Sequence, residues 1–187
     1  MRLKPLTAVL FLLLFPAACS APGAGLPPLP AAGARAYRLG PGDDLRIVVF
    51  DSKQLTGKVL VDGAGQVDLP LIGPVRAAGR TTSGLAAAIA AALRQRRMFT
   101  HPAVAVQIAS YRPFYILGEV SHPGAYPYQP GMTVLGAVSV AGGFTYRAVE
   151  SSAAVIRAVD GHAVKGRALP ESAVEPGDVV TVFERRF

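Results

Sequence analysis

The sequence is poor in cysteine and has no tryptophan, and Cys19 is the only cysteine among its 187 residues. A single cysteine cannot form a disulfide within the chain, and it also excludes a metal site built from several cysteines. Charged residues make up only 17% of the chain, whereas hydrophobic residues make up 51%. This balance excludes an intrinsically disordered protein, because disordered chains are poor in apolar residues and rich in charge.

The residue patterns that usually carry catalysis are also missing. The histidines His101, His122 and His162 are far apart, and none has a partner at the spacing of metal ligands. The sequence contains no G-x-S-x-G nucleophile elbow and no P-loop lysine. Asp43 and Asp44 are adjacent, so on a strand their carboxylates would point to opposite faces. We therefore predict that the protein is not an enzyme and needs no cofactor and no metal.

Positive charge does not follow the pattern of a nucleic-acid surface. The formal net charge is +7, but the basic residues are scattered singly except at Arg94–Arg97 and Arg185–Arg186. A nucleic-acid footprint is normally a clustered basic stripe. We expect no nucleic-acid partner, and we interpret the arginines at 94–97 as the end of a helix, where the dipole favours cations, and not as a phosphate site.

The N-terminus has the sequence pattern of an export signal. Arg2 and Lys4 precede an apolar segment, PLTAVLFLLLFPAA, at residues 5–18. This segment is too short for an ordinary membrane-spanning helix, which needs about 20 residues. A short positive region, an apolar stretch and small residues in this order predict a signal peptide, which we place at residues 1–18.

Cys19 lies directly after two alanines, in the position of the lipid acceptor of a bacterial lipoprotein. Several acyl chains on such a residue would hold the protein stably on a membrane, whereas one chain would not. The residue after the cysteine is Ser20 and not Asp. In the Gram-negative lipoproteins that this segment resembles, a residue other than Asp at that position favours sorting to the outer membrane. The pattern usually has Leu where this chain has Pro16, so the alternative is cleavage near Ala21 and a soluble periplasmic protein.

Residues 19–36 are rich in proline, glycine and alanine and contain one charged residue. Such a composition is typical of a loose or partly polyproline linker. We therefore predict a flexible tether between the anchor and the folded body.

The first folded unit, residues 37–110, mixes strands with one helix. LRIVVF at 45–50 predicts a buried strand, and the runs on either side of Asp62–Gly65 predict a hairpin. From Thr82 the apolar residues follow a helical period, with Thr81, Thr82 or Ser83 as the cap. The apolar face of this helix comprises Leu85, Ala88, Ile89, Ala92 and Leu93. Val104, Val106 and Ile108 then alternate as in a half-buried strand.

The second unit, residues 111–187, repeats this mixture. FYILGEV predicts a strand, and Thr133 can cap a short helix that ends at Gly142–Gly143. Asp160–Gly161 lies between two apolar runs and predicts a two-residue hairpin, and PGDVVTVF predicts a last strand. Phe114 and Ile116 are assigned to packing between the two units.

A Pro-Gly-Asp turn leads into an apolar strand in both units, as GPGDDLRIVVF in the first and EPGDVVTVF in the second. Proline, glycine and aspartate are natural turn residues, so we interpret the echo as shared local geometry and not as proof of duplication. Each unit has strands and one helix, which predicts an α+β fold of two small domains.

Several segments, taken in order, resemble the outer-membrane polysaccharide export proteins, the Wza-type auxiliary family. They are YRLGPGDDLRIVVF, VDGAGQVDLPLIGPVRAAGRT and the stretch from HPAVAVQIASYRPFYILGEV to AGGFTYRA. The resemblance implies that residues 37–110 are a polysaccharide export domain with its turn motif at Gly40, Pro41, Gly42 and Asp43. It also implies that residues 111–187 are a soluble-ligand-binding β-grasp (SLBB) domain.

The family's role, if it transfers, is a non-catalytic conduit for capsular or exopolysaccharide. The resemblance implies a homo-oligomeric ring on the periplasmic face of the outer membrane, with an inner-membrane polysaccharide co-polymerase docked beneath it. Longer family members carry a further β-grasp module and a final pore-forming helix. We therefore hypothesise a short form that is held by its lipid and served by a separate outer-membrane β-barrel.

Four residues are candidate contacts for the glycan or for a neighbouring subunit. Tyr111 and Arg112 bridge the two units, and Tyr126 and Tyr128 follow a turn from which they can face outward. Aromatic faces stack on sugar rings as readily as they fill cores, so both interpretations stay open. The alternative functions are a monomeric periplasmic glycan-binding lipoprotein and a DNA-uptake factor, and the dispersed charge argues against the latter.

Overall fold

The structure is a computed structural model, and it describes residues 22–30, 36–159 and 161–185. The predicted signal peptide and Cys19 lie outside the described residues. Two hydrophobic cores are present, one for each predicted unit. The α+β fold class of two small domains is confirmed. Within the described ranges, no helix is long and apolar enough to cross a membrane.

The first domain has five strands and one helix. Their bounds are β1 Asp44–Val49, β2 Ser52–Leu60, β3 Gln66–Leu69, β4 Gly73–Arg76, α1 Thr82–Gln95 and β5 Val104–Ser110. An antiparallel sheet has the order β2-β1-β5, and β3 and β4 form a separate two-stranded sheet. Leu45 and Ile47 of the central strand β1 are fully buried, so the core lies on one face of this sheet.

The predicted hairpin around Asp62–Gly65 is wrong. The turn itself forms, with the Gly65 N–H donating to the Asp62 carbonyl at 2.9 Å, but the strands on either side have other partners. Strand β2 pairs with β1, and β3 pairs with β4. The connection from β1 to β2 is only two residues long, so β2 pairs with its nearer neighbour β1. The sequence did not indicate this turn, because one of its two residues is the apolar Phe50.

Helix α1 forms as its period predicts. The Thr81 hydroxyl accepts the Gly84 N–H at 3.1 Å and so satisfies one of the free donors of the first turn. Leu85, Ile89 and Leu93 are fully buried and turn this face of the helix toward the first core. Burial of each such side chain stabilises the fold by about 1.5–3 kcal/mol.

The second domain is a five-stranded mixed sheet covered by one short helix. Its elements are β6 Phe114–Gly118, β7 Gly124–Tyr126, α2 Val134–Val140, β8 Ala148–Val159, β9 His162–Ala168 and β10 Val179–Glu184. The strand order is β7-β6-β10-β8-β9, and β10 runs parallel to β6. The predicted β8–β9 hairpin is confirmed by the pairing of Val159 with His162, and Thr133 caps α2 as predicted.

Phe114 and Ile116 belong to the second core and do not pack between the domains, so that prediction is wrong. Both lie on the inner face of β6 and are at most 1% exposed, in the same core as the buried residues of α2. Strand β6 is flanked by β7 and β10, and an apolar side chain on an interior strand points into the nearest core. Proximity in sequence to the domain boundary was therefore misleading.

Residues 22–30 are docked on the second domain, so the predicted loose tether is wrong for this part of 19–36. Pro28 pairs in parallel with Arg167 on β9, through the Leu29 N–H to the Arg167 carbonyl at 2.8 Å and the Arg167 N–H to the Pro27 carbonyl at 2.7 Å. Leu29 also packs against the second core. The segment thus covers the free edge of β9, which would otherwise offer unpaired backbone groups.

Gly166 makes room for this segment, and we expect Gly166→Ala to release it. A Cβ atom at position 166 would lie 2.6 Å from the Leu29 Cα, which is backbone and cannot move aside cheaply. Hydrogen exchange of the amides of residues 22–30 should rise by at least about tenfold, because local opening controls their protection. Gly124→Ala on β7 of the same domain is the control, because Gly124 does not have a positive φ and the nearest atom to an added Cβ, on the Tyr126 ring, would lie 3.8 Å away. Unchanged protection at 22–30 in Gly166→Ala would contradict the prediction.

Candidate functional site

The two Pro-Gly-Asp turns have the same local geometry, as the sequence echo predicts. Asp43 and Asp178 are both buried. Each carboxylate accepts the backbone N–H of the residue three positions earlier, at 2.8 Å for Asp43 and 2.7 Å for Asp178. Gly42 and Gly177, which precede them, have φ of 90° and 86°. Such positive values strain any residue with a Cβ, so the turn requires glycine there.

Asp43 is the centre of a polar cluster at the boundary of the two domains. Its carboxylate accepts the Tyr37 hydroxyl at 2.7 and 2.8 Å and the Arg112 backbone N–H at 3.0 Å. The Arg112 Nη1 lies 3.3 Å from the same carboxylate and donates to the Tyr37 hydroxyl oxygen at 2.6 Å. We call Tyr37, Asp43, Tyr111, Arg112 and Tyr128 the junction cluster.

The side chain of Arg112 passes between the turns of both domains. A Cβ atom at Gly40 would lie 2.7 Å from its Nη1, and a Cβ atom at Gly177 would lie 2.8 Å from its Nε. The Gly177 N–H donates to the Pro113 carbonyl at 3.0 Å, which ties the second turn to the residue that follows Arg112. One arginine therefore contacts the turn motif of the first domain and the matching turn of the second.

Aromatic rings continue the cluster across the boundary. Tyr37 and Tyr111 meet edge to face with centroids 5.0 Å apart, and Tyr111 and Tyr128 do so at 5.3 Å. The Arg112 guanidinium carbon lies 5.5 Å from the Tyr37 ring centroid, within the range of a cation–π contact. Tyr128 packs against the second core, so a continuous row of rings leads from one domain to the other.

Burial and charge set the protonation of the cluster. Burial, and next the hydrogen bond to Asp43, raise the pKa of Tyr37 above its ordinary value. Burial also raises the pKa of Tyr128. Both hydroxyls therefore keep their protons at neutral pH, and the Tyr37 proton stays available for the Asp43 carboxylate.

We expect the junction to weaken in alkaline solution and Tyr37→Phe to lessen this weakening. The folded-state pKa of Tyr37 is raised, so its contribution to stability is complete below the unfolded-state pKa of about 10 and is lost as pH rises above it. The loss is at most about 1.4 kcal/mol per pH unit for one group. Urea unfolding at pH 8 to 11 measures it. Tyr146→Phe, at a tyrosine that is 86% exposed, is the control; an equal pH dependence of all three proteins would contradict the assignment to Tyr37.

The junction cluster can hold the two domains in a fixed orientation, because its donors and acceptors form hydrogen bonds with one another. The Asp43 carboxylate is surrounded by donors from Tyr37, Gly40 and Arg112, and the Arg112 charge offsets its own. No three His, Cys, Asp or Glu side chains come close enough to hold a metal ion in the part of the chain that the structure describes.

The predicted site residues fall into two groups. Gly40, Asp43, Tyr111, Arg112 and Tyr128 come together in or beside the junction cluster, with Pro41 exposed in the same turn. Cys19 lies outside the described residues.

Tyr126 lies apart from the junction cluster. Its ring stacks on Phe114 at 6.0 Å, and its hydroxyl donates to the His122 carbonyl at 2.7 Å. Tyr126 and Tyr128 are half-buried against the second core, so they face outward only in part.

Two members of the site were not predicted from the sequence. Tyr37 closes the cluster over Asp43, and the only sequence signal was an aromatic residue six positions before this aspartate. Gly177 admits the Arg112 side chain, and the echo of the two turns was the signal that could have identified it.

Comparison with known proteins matches both domains. The family model described as polysaccharide biosynthesis/export protein matches residues 31–109, and that described as SLBB domain matches residues 113–167. Residues of the turn motif and Tyr37 lie inside the first match, and Tyr128 lies inside the second. The boundary between the matches, 110–112, contains Tyr111 and Arg112.

Two relatives align with most of the chain. An exopolysaccharide production protein, ExoF, of Rhizobium meliloti (strain 1021) is 39% identical over 140 residues, which are 68% of this chain and 32% of the relative. An EPS I polysaccharide export outer membrane protein, EpsA, of Ralstonia solanacearum is 30% identical over 148 residues, which are 65% of this chain and 38% of the relative. The chain thus spans only about a third of the length of these relatives, 32% of ExoF and 38% of EpsA.

Proposed function

Because the chain belongs to the Wza-type family of outer-membrane polysaccharide export proteins, we propose that it is a non-catalytic component of a polysaccharide export machine. Its copies form a ring that guides capsular polysaccharide or exopolysaccharide outward from the periplasm. No bond in the polymer is made or broken on the way.

One observation carries this proposal: an export domain and an SLBB domain are held together by a hydrogen-bonded junction. Arg112 contacts the turns of both domains, and Asp43 contacts Tyr37 and the Arg112 backbone. A ring closes only if the angle between neighbouring subunits is fixed, since a variable angle gives open or mixed assemblies. A junction of this kind supports the constant subunit shape that closure needs.

Exposed apolar residues supply surfaces for contacts between subunits. Phe50, Leu60 and Tyr146 are 69%, 61% and 86% exposed, respectively. Phe50 and Leu60 lie at opposite ends of β2 and Tyr146 lies in the second domain, so we propose them as separate contacts and not as one continuous surface. We also retain Tyr111, Arg112, Tyr126 and Tyr128 as proposed contacts for the glycan or for a neighbouring subunit, through the parts of these side chains that remain exposed.

We place the protein at the outer membrane in this proposal, and one relative and the predicted anchor support this. The relative EpsA is named as an outer membrane protein, and Cys19 would attach this chain to the inner leaflet of that membrane. The partners in this proposal are the polysaccharide, further copies of the chain and an inner-membrane polysaccharide co-polymerase.

The size of the native assembly separates this proposal from a monomeric periplasmic glycan-binding lipoprotein. The full chain, extracted in mild detergent from cells that make the polymer, should have the mass of a closed oligomer by light scattering. A mutation that disturbs the junction, Asp43→Ala, should reduce the oligomeric fraction, whereas Asp44→Ala should not. A monomer at every concentration would overturn the ring and favour the binding lipoprotein.

A further inference from the structure

One end of the first domain holds the segment that connects helix α1 to strand β5. Strand β1 ends at Val49, opposite Val104 of β5, and the Phe50 N–H donates to the Ala103 carbonyl at 3.0 Å. Helix α1 ends at Gln95, and residues 96–103 lead from it to β5. We call residues 94–100, which are the end of α1 and the start of this segment, the α1 tip.

The α1 tip contains a strained backbone position. In the described part of the chain, the only non-glycine residues with positive φ are Asp51 at 58°, Leu71 at 68° and Arg97 at 56°. Arg97 belongs to the tip, and the neighbouring Arg96 guanidinium donates to the carbonyl of Leu71 at 2.9 Å. Strain of this kind clusters at functional sites because the surrounding fold has to enforce it.

Arg97 occupies the position where a helix normally ends on glycine. Arg96 is the C-cap of α1, and Arg97 follows it in the left-handed conformation. The helix dipole accounts for Arg94, which lies in the last turn, but it does not explain a side chain with a Cβ at position 97. Helix termination alone, which the sequence suggested, is therefore an incomplete account of these arginines.

The side chains at the tip form a basic and aromatic depression. Arg94, Arg97, Phe99 and Thr100 line a shallow space of about 310 Å³. Neither Arg94 nor Arg97 has a side-chain hydrogen bond or an ion pair with any residue that the structure describes. Phe99 is half-buried against the first core, so its ring is held in place beside the two cations.

We propose that the α1 tip binds anionic sugar residues of the exported polymer, an inference that rests on the proposed function and names its substrate class. Arg94 and Arg97 contact sugar carboxylates, because a guanidinium presents donors that match a carboxylate or phosphate group. Phe99 offers an apolar ring to the sugar face, and Thr100 offers a hydroxyl. The depression is shallow and open to solvent, which suits the weak contacts of a polymer that must move on.

Binding to defined oligosaccharides tests the proposal. The full chain is titrated with an oligogalacturonate, a neutral malto-oligosaccharide of the same length and inorganic phosphate, and the affinities are measured by calorimetry at low and high salt. We expect oligogalacturonate to bind best and to weaken with salt. Equal affinity for the neutral oligosaccharide would overturn the proposal, and phosphate binding that matches oligogalacturonate would reduce the site to a simple anion site and overturn its sugar specificity.

Variants at the two ends of helix α1 locate the binding. Arg94→Gln with Arg97→Gln should weaken oligogalacturonate binding by about tenfold. Arg80→Gln, which removes an exposed arginine just before the N-cap of the same helix, should leave it unchanged. Arg97→Gly should weaken binding while the melting temperature stays the same or rises, because glycine relieves the backbone strain. Unchanged affinity in both tip variants would overturn the proposal.

Export in cells separates this inference from the proposed function. In a strain lacking the gene, the Arg94→Gln/Arg97→Gln variant should restore less surface polymer than the unchanged gene. Full restoration by the variant, in a strain whose export depends on the gene, would overturn the site and leave the export function intact. Normal export in the strain without any copy would instead overturn the proposed function, while the calorimetry would still decide the site.

Discussion

The Arg157→Met variant is expected to lose about 3–5 kcal/mol of the free energy of unfolding, because it leaves a carboxylate buried without its cation. Arg157 and Asp178 are 3% and 1% exposed, and the Arg157 Nη2 lies 2.7 Å from the Asp178 carboxylate. The guanidinium also donates to the Ala173 carbonyl at 2.8 Å. Burial opposes the charge of Arg157, but the hydrogen bonds and charge of Asp178 outweigh burial and raise the pKa of Arg157.

Urea unfolding followed by circular dichroism measures this loss, with two controls. Arg147→Met breaks an exposed ion pair with Glu184 in the same domain and should cost less than about 1 kcal/mol. The double variant Arg157→Met/Asp178→Asn keeps an acceptor for the Glu175 N–H but removes the stranded charge, so it should recover part of the stability. If Arg157→Met cost no more than Arg147→Met, the buried ion pair would contribute no more to stability than the exposed one, which would contradict the prediction.

Asp43→Ala is expected to cost roughly 3 kcal/mol and to release the fixed angle between the domains, since it leaves several buried donors unpaired. The donors are the Gly40 N–H, the Arg112 N–H and the Tyr37 hydroxyl, all within 3.0 Å of the carboxylate. The Asp43 side chain is fully buried, whereas that of Arg112 is 24% exposed. Water can therefore reach part of the arginine, and the cost should fall below that of breaking the Arg157–Asp178 pair.

Small-angle X-ray scattering and urea unfolding together test this second prediction. Asp43→Ala should broaden the distribution of interatomic distances as the domains separate, and it should lower the urea midpoint. Asp44→Ala is a matched control, because Asp44 is the next residue and its side chain makes no hydrogen bond or ion pair with the described residues. The same scattering profile for both variants would show that the domains are held together in some other way.

Local signals in the sequence predicted most of the secondary structure. The cap at Thr81 and the period of Leu85, Ile89 and Leu93 predicted α1, and the cap at Thr133 predicted α2. These predictions succeeded because a cap and an apolar face act within a few residues of each other.

Pairing partners were harder to predict than elements. Residues 66–69 pair with β4 and not with β2, and residues 27–29 dock on β9, more than 130 positions away in sequence. Several distant segments can pair with a given strand, and a period-two pattern does not show which of them does. The proline-rich composition of 22–30 predicted a flexible linker. This prediction failed because composition does not show which sheet edge is free to pair with the segment.

The junction cluster was partly visible in the sequence. The echo of the two turns pointed to Asp43 and Asp178, and Arg112 was expected between the domains. The contacts of Arg112 with both turns depend on how two complete domains meet, so no local pattern contains them. The contact of Tyr37 with Arg112 likewise depends on how the two domains meet, so the sequence did not predict Tyr37 as a member of the cluster.

The most direct test of the account is export in a strain that lacks this gene. Surface and periplasmic polysaccharide are measured in that strain, in the same strain with the gene restored and in the strain carrying Asp43→Ala. We expect surface polymer to be lost without the gene, to return with the unchanged gene and to return less fully with Asp43→Ala. Normal surface polymer in the strain without the gene or any close relative of it would contradict a role in export.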